Sequence, residues 1–159
     1  MASVRRAKLT DAGSLARLRY EFRALMNEAT EREAAFMARA VPWMRDRLAS
    51  AGPWHCWVVE GLGGGVDGHL WLQLIEKIPN PASELEHHAY ITNVYVRPEL
   101  RGTGAGQALM DAALAFCREQ RVDSVILWPT ARSRTLYARN GFAVRDDIIE
   151  AILDDGRHL

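Results

Sequence analysis

Lysine, cysteine and long apolar runs are all scarce in this sequence of 159 residues. The 2 cysteines, Cys56 and Cys117, have no cysteine or histidine near them at metal-ligand spacing, so we expect reduced thiols and no metal site. No apolar run approaches the roughly 20 residues of a membrane span. No apolar stretch follows the basic pair near the start, so we expect no secretory signal and, by default, a cytoplasmic location.

The sequence also lacks an excess of positive or of negative charge. The 20 basic and 20 acidic side chains cancel, which argues against a protein that binds nucleic acid through bulk positive charge. Lysine occurs only at Lys8 and Lys77, so 18 of the basic side chains are arginine. Residues 97–145 carry 8 basic and 4 acidic side chains, whereas residues 146–159 carry 1 and 5. The positive excess is therefore confined to one segment.

The pattern of apolar residues predicts one α/β domain. With 48% apolar residues the chain is long enough for a single core, and we expect one domain over residues 1–159. A strand, a helix and a strand follow one another within residues 89–127, which implies a parallel crossover and a mixed sheet. The predicted helices cover residues 11–26, an interrupted segment over 30–51, 104–120 and 132–140. The predicted strands cover residues 54–60, 69–76, 89–96, 122–127, 142–147 and 148–153. The glycine-rich residues 61–68 between the first two strands indicate a hairpin.

The most informative segment is a glycine-rich turn between a predicted strand and a predicted helix. Its residues are Arg101, Gly102, Thr103, Gly104, Ala105, Gly106 and Gln107. A helix N-terminus presents backbone N–H groups without partners and favours an anion, and glycines let the main chain approach a pyrophosphate closely. The segment therefore predicts a phosphate-binding turn.

Two common nucleotide-binding motifs do not fit this turn. A dinucleotide fingerprint, GxGxxG, counted from Gly102 finds Gln107 where the third glycine belongs. A P-loop needs Gly-Lys followed by Ser or Thr, which is absent. Neither class of nucleotide-binding protein is expected.

The pattern RxxGxG over residues 101–106 resembles the acyl-CoA signature of the GNAT family of N-acetyltransferases. About 30 residues further on, Leu-Tyr-Ala-Arg-Asn-Gly-Phe at residues 136–142 resembles the LYxxxGF segment of the same family. The resemblance implies a central mixed, twisted sheet of about seven strands flanked by about four helices. One departure is Thr130, since the family often has asparagine seven positions before the tyrosine.

The resemblance also implies acetyl-CoA as the co-substrate and no metal. In the family, the strand that carries Val94, Tyr95 and Val96 separates from the following parallel strand, and the pantetheine lies in the gap like an added strand. The diphosphate would then meet the backbone N–H groups of residues 102–107. Tyr137 is expected to contact the cofactor as well.

Acetyl transfer needs donors for the oxyanion and a proton for the departing thiolate. The resemblance gives the first role to backbone N–H groups near Val94 and Tyr95. Tyr137 is expected to fill the second, because a phenol with an ordinary pKa of about 10 can donate a proton at neutral pH. Asn93 is a further catalytic candidate, since simple alternation puts it on one strand face with Ile91 and Tyr95.

The general base and the acceptor stay open. Glu60, Glu86, His87, His88 or a water chain could take the proton of the amine. Five tryptophans keep an aromatic or partly apolar acceptor open, and the acidic pairs at residues 146–147 and 154–155 keep a cationic one open.

The interpretation is an N-acetyltransferase that acts on a primary amine. The alternatives are the same enzyme with another short acyl-CoA, or a non-catalytic acyl-CoA sensor or interaction module. We expect no nucleic-acid or membrane partner, and an edge strand could pair two copies into a homodimer.

Overall fold

The computed structural model describes residues 2–154. The chain divides after Trp128 into two compact units. The strands of the described residues are β1 (Ser3–Arg6), β2 (Trp54–Glu60), β3 (Val66–Glu76), β4 (His87–Val96) and β5 (Val122–Ile126). The α-helices are α1 (Ala12–Leu25), α2 (Glu33–Ala49), α3 (Ala105–Glu119) and α4 (Arg134–Arg139). All of these except α4 belong to the first unit.

The five strands form one mixed sheet in the order β1-β2-β3-β4-β5. The first three pairs are antiparallel, and β4 pairs with β5 in parallel. The predicted hairpin and the predicted parallel crossover through α3 are therefore confirmed. On one face of the sheet, α1 and α2 pack on β2 and β3. The buried core there includes Leu15 of α1, Met44 of α2, Val58 of β2 and Trp71 of β3.

The expected count of about seven strands is wrong for the described residues, which contain five. Residues 142–154 contain no strand, although their apolar residues predict two. Val144, Ile149 and Leu153 are 90%, 94% and 95% exposed, so these side chains have no packing that would favour a strand. The sequence pattern also missed β1, a four-residue edge strand that holds two arginines.

The two first helices differ from expectation in detail. Asp11 is the N-cap of α1, but its carboxylate accepts from the Lys8 N–H at 2.6 Å and from Arg5 at 2.8 Å instead of capping the helix. The second helix begins at Glu33 and continues through Pro42, so the expected interruption is wrong. A proline costs a helix one internal hydrogen bond, and packing of Ala40 and Met44 in the core offsets that cost.

A β-bulge in β4 decides which of its side chains face the same way. His69 of β3 pairs with Tyr95 and Trp71 pairs with Thr92, so two residues of β4, Asn93 and Val94, lie opposite one residue of β3. Asn93 has φ +57°, in the left-handed region.

The bulge reverses the alternation of β4. Ile91 pairs with Leu72, and Tyr95 pairs with His69, three residues away on β3. Ile91 and Tyr95 therefore lie on opposite faces of the sheet. The expectation that they share a face with Asn93 is wrong because the extra residue shifts the period.

Candidate active site

β4 separates from β5 halfway along its length. The parallel ladder begins with His87 opposite Val122 and ends with Tyr90 opposite Ile126. The rings of Tyr90 and Trp128 pack edge to face at 5.2 Å where the pairing ends. From residue 91 to residue 96, β4 has no partner on this side among the described residues. Its backbone can therefore pair with an extended ligand, as an exposed strand edge does.

The bulge lies within this open stretch. A bulge leaves its extra residue out of the ladder, so backbone groups at Asn93 and Val94 are available next to the open edge. The Asn93 side chain is held from α1, because Nη1 of Arg19 donates to its Oδ1 at 3.2 Å. Tyr95 is buried and stacks on Phe22 of α1 at 5.3 Å. The consecutive residues Asn93, Val94 and Tyr95 therefore lie at the bulge, within the open stretch of β4.

The glycine turn follows directly and ends at the N-terminus of α3. Gly102 and Gly104 have φ +76° and +87°, and Gly104 is the N-cap. A Cβ built on either glycine would have no atom within 4 Å, so the space in front of the turn is open. Thr103 Oγ1 donates to the Leu100 carbonyl at 2.6 Å and holds the turn. The first N–H groups of α3, from Ala105 onward, lack an acceptor within the helix, as at any helix N-terminus, and can donate to an anion.

Arginines hold the end of β4 and border the turn. Nε of Arg101 donates to the Val96 carbonyl at 3.2 Å, which leaves other N–H groups of its guanidinium for a ligand. Arg97 contacts Glu21 at 2.8 Å and Asp67 at 2.7 Å, so α1 and β3 fix the strand end. In the first turn of α3, the Gln107 side chain donates to Asp111 at 2.8 Å.

Tyr137 belongs to α4 in the second unit. It is 7% exposed, and its ring packs against Phe142 at 5.7 Å. Burial raises the pKa of the phenol, and the nearby Ser133 hydroxyl partly opposes that shift. Gly141 follows the helix with φ +85° as its C′ residue. Thr130 forms a capping box with Ser133, so its hydroxyl is engaged inside this unit.

The candidates for the general base are spread over the sheet. Glu60 is paired with Arg5 at the end of β2. His88 Nδ1 contacts Ser124 Oγ at 2.7 Å, and His87 and Glu86 lie beside it at the start of β4. Five residues of strand separate His88 from Asn93, or about 17 Å at the usual rise. The structure does not bring these residues together with the bulge.

A cavity of about 540 Å³ adjoins the bulge on the face covered by α1 and α2. Thr92 and Asn93 form part of its lining, together with aromatic residues and Arg19. Sequence reasoning pointed to the tryptophans but missed Arg19. Arg19 meets Asn93, 74 positions away, only because the bulge turns Asn93 toward α1. Of the acidic pairs noted in the sequence, Asp147 is bound to Arg145, and Asp155 lies outside the described residues.

His69 is a second residue that sequence reasoning missed. It lies on β3 opposite Tyr95, is fully buried, and neither ring nitrogen has a hydrogen-bond partner of good geometry among the described residues. Burial and the charge of Arg19 lower the pKa of His69 to about 3, although neighbouring Asn93 acts in the opposite direction. The imidazole is therefore neutral at neutral pH and is a poor proton acceptor.

Acidification is expected to destabilise the fold through His69. Its pKa is about 3 in the folded protein and 6.5 as an ordinary value, so between these pH values the unfolded chain binds a proton that the folded one does not. Through His69, the free energy of unfolding is therefore about 2 kcal/mol lower at pH 5 than at pH 7. This part of the pH dependence should be absent in H69L. Denaturant unfolding of both proteins at pH 5 and pH 7 measures the difference.

Some pH dependence will remain in H69L. Burial and Arg6 lower the pKa of His55 to about 4, which acts with the same sign. The prediction therefore concerns the difference between the two proteins at pH 5 and pH 7. Parallel losses of stability in H69L and the wild type would contradict it.

Residues 2–154 contain no group of three His, Cys, Asp or Glu side chains that could hold a metal ion. Within the same residues no helix has the length and apolar character needed to cross a membrane.

An open strand edge that leads through a glycine turn to a helix N-terminus is suited to an extended ligand with an anionic group. Residues 20–142 match the model of the Acetyltransferase (GNAT) family. This is well over half of the chain, and the chain therefore belongs to the GNAT family of acetyltransferases. No curated protein is significantly similar to the chain in sequence.

Solved structures agree with this assignment. A GCN5-related N-acetyltransferase from Ralstonia eutropha JMP134 is 31% identical, with 96% of this chain and 99% of that one covered and a TM-score of 0.72. A predicted acetyltransferase from Clostridium acetobutylicum, solved with acetyl-CoA, is 23% identical, with 99% and 100% covered and a TM-score of 0.78. The glucosamine-6-phosphate N-acetyltransferase of Arabidopsis thaliana is 16% identical, with 97% and 99% covered and a TM-score of 0.67.

Proposed function

We propose that the chain is an N-acetyltransferase that moves the acetyl group of acetyl-CoA directly to a primary amine. The observation that carries this proposal is the open edge of β4 from residue 91 to residue 96, which runs into the glycine turn before α3. The two amides of pantetheine would pair with the strand edge, and the diphosphate would accept from backbone N–H groups of residues 102–107. Arg101 would add a cation beside the diphosphate.

The bulge supplies the electrostatic part of the reaction. The nitrogen of the neutral amine forms a bond to the thioester carbonyl carbon, and the electron pair of the C=O bond moves to oxygen. Backbone N–H groups near Val94 and Tyr95 stabilise this negative oxygen. When the carbonyl re-forms, the carbon–sulfur bond breaks and the pair leaves on sulfur. Asn93 is assigned a role in this step because it shapes the bulge and also faces the cavity.

Two protons complete the balance. Tyr137 donates its phenolic proton to the thiolate, a role supported by the family pattern and by a pKa that burial raises. The nitrogen of the new amide gives up one proton to water or a base, and solvent returns a proton to the tyrosine. The products are the N-acetyl amine and free CoA.

Both compact units are assigned to one catalytic domain over residues 1–159. The family match over residues 20–142 supports this, because it continues across the division at Trp128. The motif of the second unit, around Tyr137, belongs to the same match.

Release of free thiol from acetyl-CoA in the presence of a panel of amines tests the function. We expect thiol release that depends on both the protein and an amine. Tight binding of CoA with no turnover on any amine would instead identify an acyl-CoA sensor. Faster turnover of propionyl-CoA than of acetyl-CoA would mean that the protein is an acyltransferase of the same mechanism that uses another short acyl-CoA as its donor.

A further inference from the structure

The cavity next to the bulge has the features of a ligand site. Its volume of about 540 Å³ lies within the range of small-molecule pockets. It lies between α1, α2 and strands β2 to β4, and it reaches the bulge that the proposed reaction uses. The lining residues are Arg19, Phe36, Arg39, Ala40, Trp43, Met44, Trp54, Trp71, Thr92 and Asn93.

Three indoles form most of its apolar wall. The ring centroids of Trp43 and Trp54 lie 5.4 Å apart, those of Trp43 and Trp71 5.8 Å, and those of Trp54 and Trp71 6.2 Å. Rings at these distances form a continuous aromatic surface, and such a surface favours a flat aromatic or apolar group. A polyamine would place its cations beside Arg19 and Arg39 of the same lining.

The polar atoms of the lining are mostly donors, and none of the ten lining residues is acidic. Trp71 is 2% exposed, and its Nε1–H has no hydrogen-bond partner among the described residues. A buried indole N–H without an acceptor is costly.

The two arginines of the lining differ in their partners. Arg39 is already bound to Glu31, with Nη2 and Oε2 2.5 Å apart. Arg19 is half-buried, contacts the neutral Asn93 amide at 3.2 Å, and has no carboxylate within ion-pair distance among the described residues. Burial and the charge of Arg23 lower the pKa of Arg19, whereas Tyr90 and Glu28 act in the opposite direction. An anionic group of a ligand in the cavity would give Arg19 a direct ionic partner.

We propose that the acceptor amine carries an aromatic ring and a carboxylate, as an aromatic α-amino acid does. The ring packs against the indoles of Trp43, Trp54 and Trp71, and the carboxylate binds Arg19. This inference rests on the proposed acetyltransferase function and adds the class of acceptor to it.

The position of Arg19 also fixes where the amine stands on the acceptor. The guanidinium contacts Asn93 at the bulge, so a carboxylate bound to Arg19 lies close to the place where the thioester carbonyl would be held. An α-amine, one carbon from the carboxylate, fits this arrangement. An amine at the end of a long chain would be carried away from the bulge.

The experiment compares matched amines in the thiol-release assay. L-phenylalanine and L-tryptophan are expected to have kcat/KM values about 10- to 100-fold above those of phenylalaninamide, phenethylamine and tryptamine, which lack the carboxylate. Spermidine and kanamycin represent cationic acceptors and are expected to be slower still. Equal or faster turnover of any carboxylate-free amine would overturn the inference. So would faster turnover of 1-amino-2-phenylethylphosphonate, because the anion would then not be a carboxylate.

Two variants assign the effect to Arg19. R19Q removes the guanidinium, and kcat/KM should fall about 10- to 100-fold more for L-phenylalanine than for phenethylamine, because loss of the contact with Asn93 affects both amines but loss of the carboxylate partner affects only the first. R17Q is the matched control on the same helix, because Arg17 is exposed and pairs with Glu33. It should leave both values unchanged. Equal losses for both amines in R19Q would contradict a carboxylate contact.

A binding measurement separates this inference from the proposed function. Fluorescence of the pocket tryptophans should change saturably with L-phenylalanine in the wild type and far less in R19Q, with no acetyl-CoA present. Such binding without thiol release from any amine would reject the transferase but support the ligand class. Thiol release without a preference for amines that carry a carboxylate would support the transferase but reject the proposed class of acceptor.

Discussion

Replacing Tyr137 with phenylalanine should lower kcat for acetyl transfer by about 10- to 1000-fold, the range of one proton-transfer role. The variant keeps the ring that packs on Phe142 and removes only the hydroxyl. Because burial raises the pKa of Tyr137 above its usual value of 10, the phenol of the wild type is protonated throughout the neutral range. Steady-state thiol release at saturating acetyl-CoA and amine measures the loss.

A second tyrosine provides the control for Y137F. Tyr20 on α1 donates its hydroxyl to the Glu31 carbonyl at 2.9 Å, so Y20F also removes a hydroxyl from a partly buried ring. Y20F should lose about 1 kcal/mol of stability and keep kcat within about twofold. If Y137F instead loses stability and keeps kcat, the hydroxyl of Tyr137 is structural and the thiolate takes its proton from elsewhere.

The elements that carry strong local patterns could be predicted from the sequence. Leu15 and Leu18 recur at helical spacing and are fully buried in α1. The glycines between β2 and β3 indicated the hairpin, and Gly64 in that turn has φ +76°. Gly104 marked the start of α3 because its φ of +87° suits glycine far better than other residues. Each of these signals acts within a few residues along the chain.

The bulge and the cavity could not be predicted, because they depend on residues far apart in the sequence. Alternation along β4 is correct only until β3 fixes the register, and the register shows two residues opposite one. Arg19 gains its role from Asn93, and Trp43 meets Trp71 across the space between α2 and the sheet. The type of a residue alone does not show which distant residue it contacts in the fold. The positive excess in residues 97–145, by contrast, did point to the segment with the glycine turn.

Gly104→Ala is expected to raise KM for acetyl-CoA about 10- to 100-fold. The added Cβ meets no protein atom within 4 Å, so it projects into the space where the proposed diphosphate approaches the first turn of α3. Loss of one or two hydrogen bonds from backbone N–H groups to a charged group accounts for this magnitude. The reaction itself occurs at the bulge, so kcat at saturating acetyl-CoA should change less than threefold.

Gly64→Ala separates the effect on the cofactor from backbone strain. Gly64 also has a positive φ, +76°, and a Cβ there also has no neighbour within 4 Å. Both variants therefore pay a similar cost of about 1–2 kcal/mol in unfolding free energy for a left-handed alanine. Only Gly104 borders the proposed site, so only G104A should change KM. Equal KM values for acetyl-CoA in the two variants would mean that the diphosphate does not bind at this turn.

A truncated donor sharpens the test of Gly104. S-acetyl-pantetheine retains the thioester and both amides but has no diphosphate, so a Cβ at residue 104 has nothing to displace. G104A should therefore match the wild type in kcat/KM for this donor while it remains deficient with acetyl-CoA. A deficit with both donors would mean that the alanine disturbs β4 or the bulge through the chain. A deficit with acetyl-CoA alone ties the glycine turn to the phosphates and leaves the open edge of β4 to hold the pantetheine.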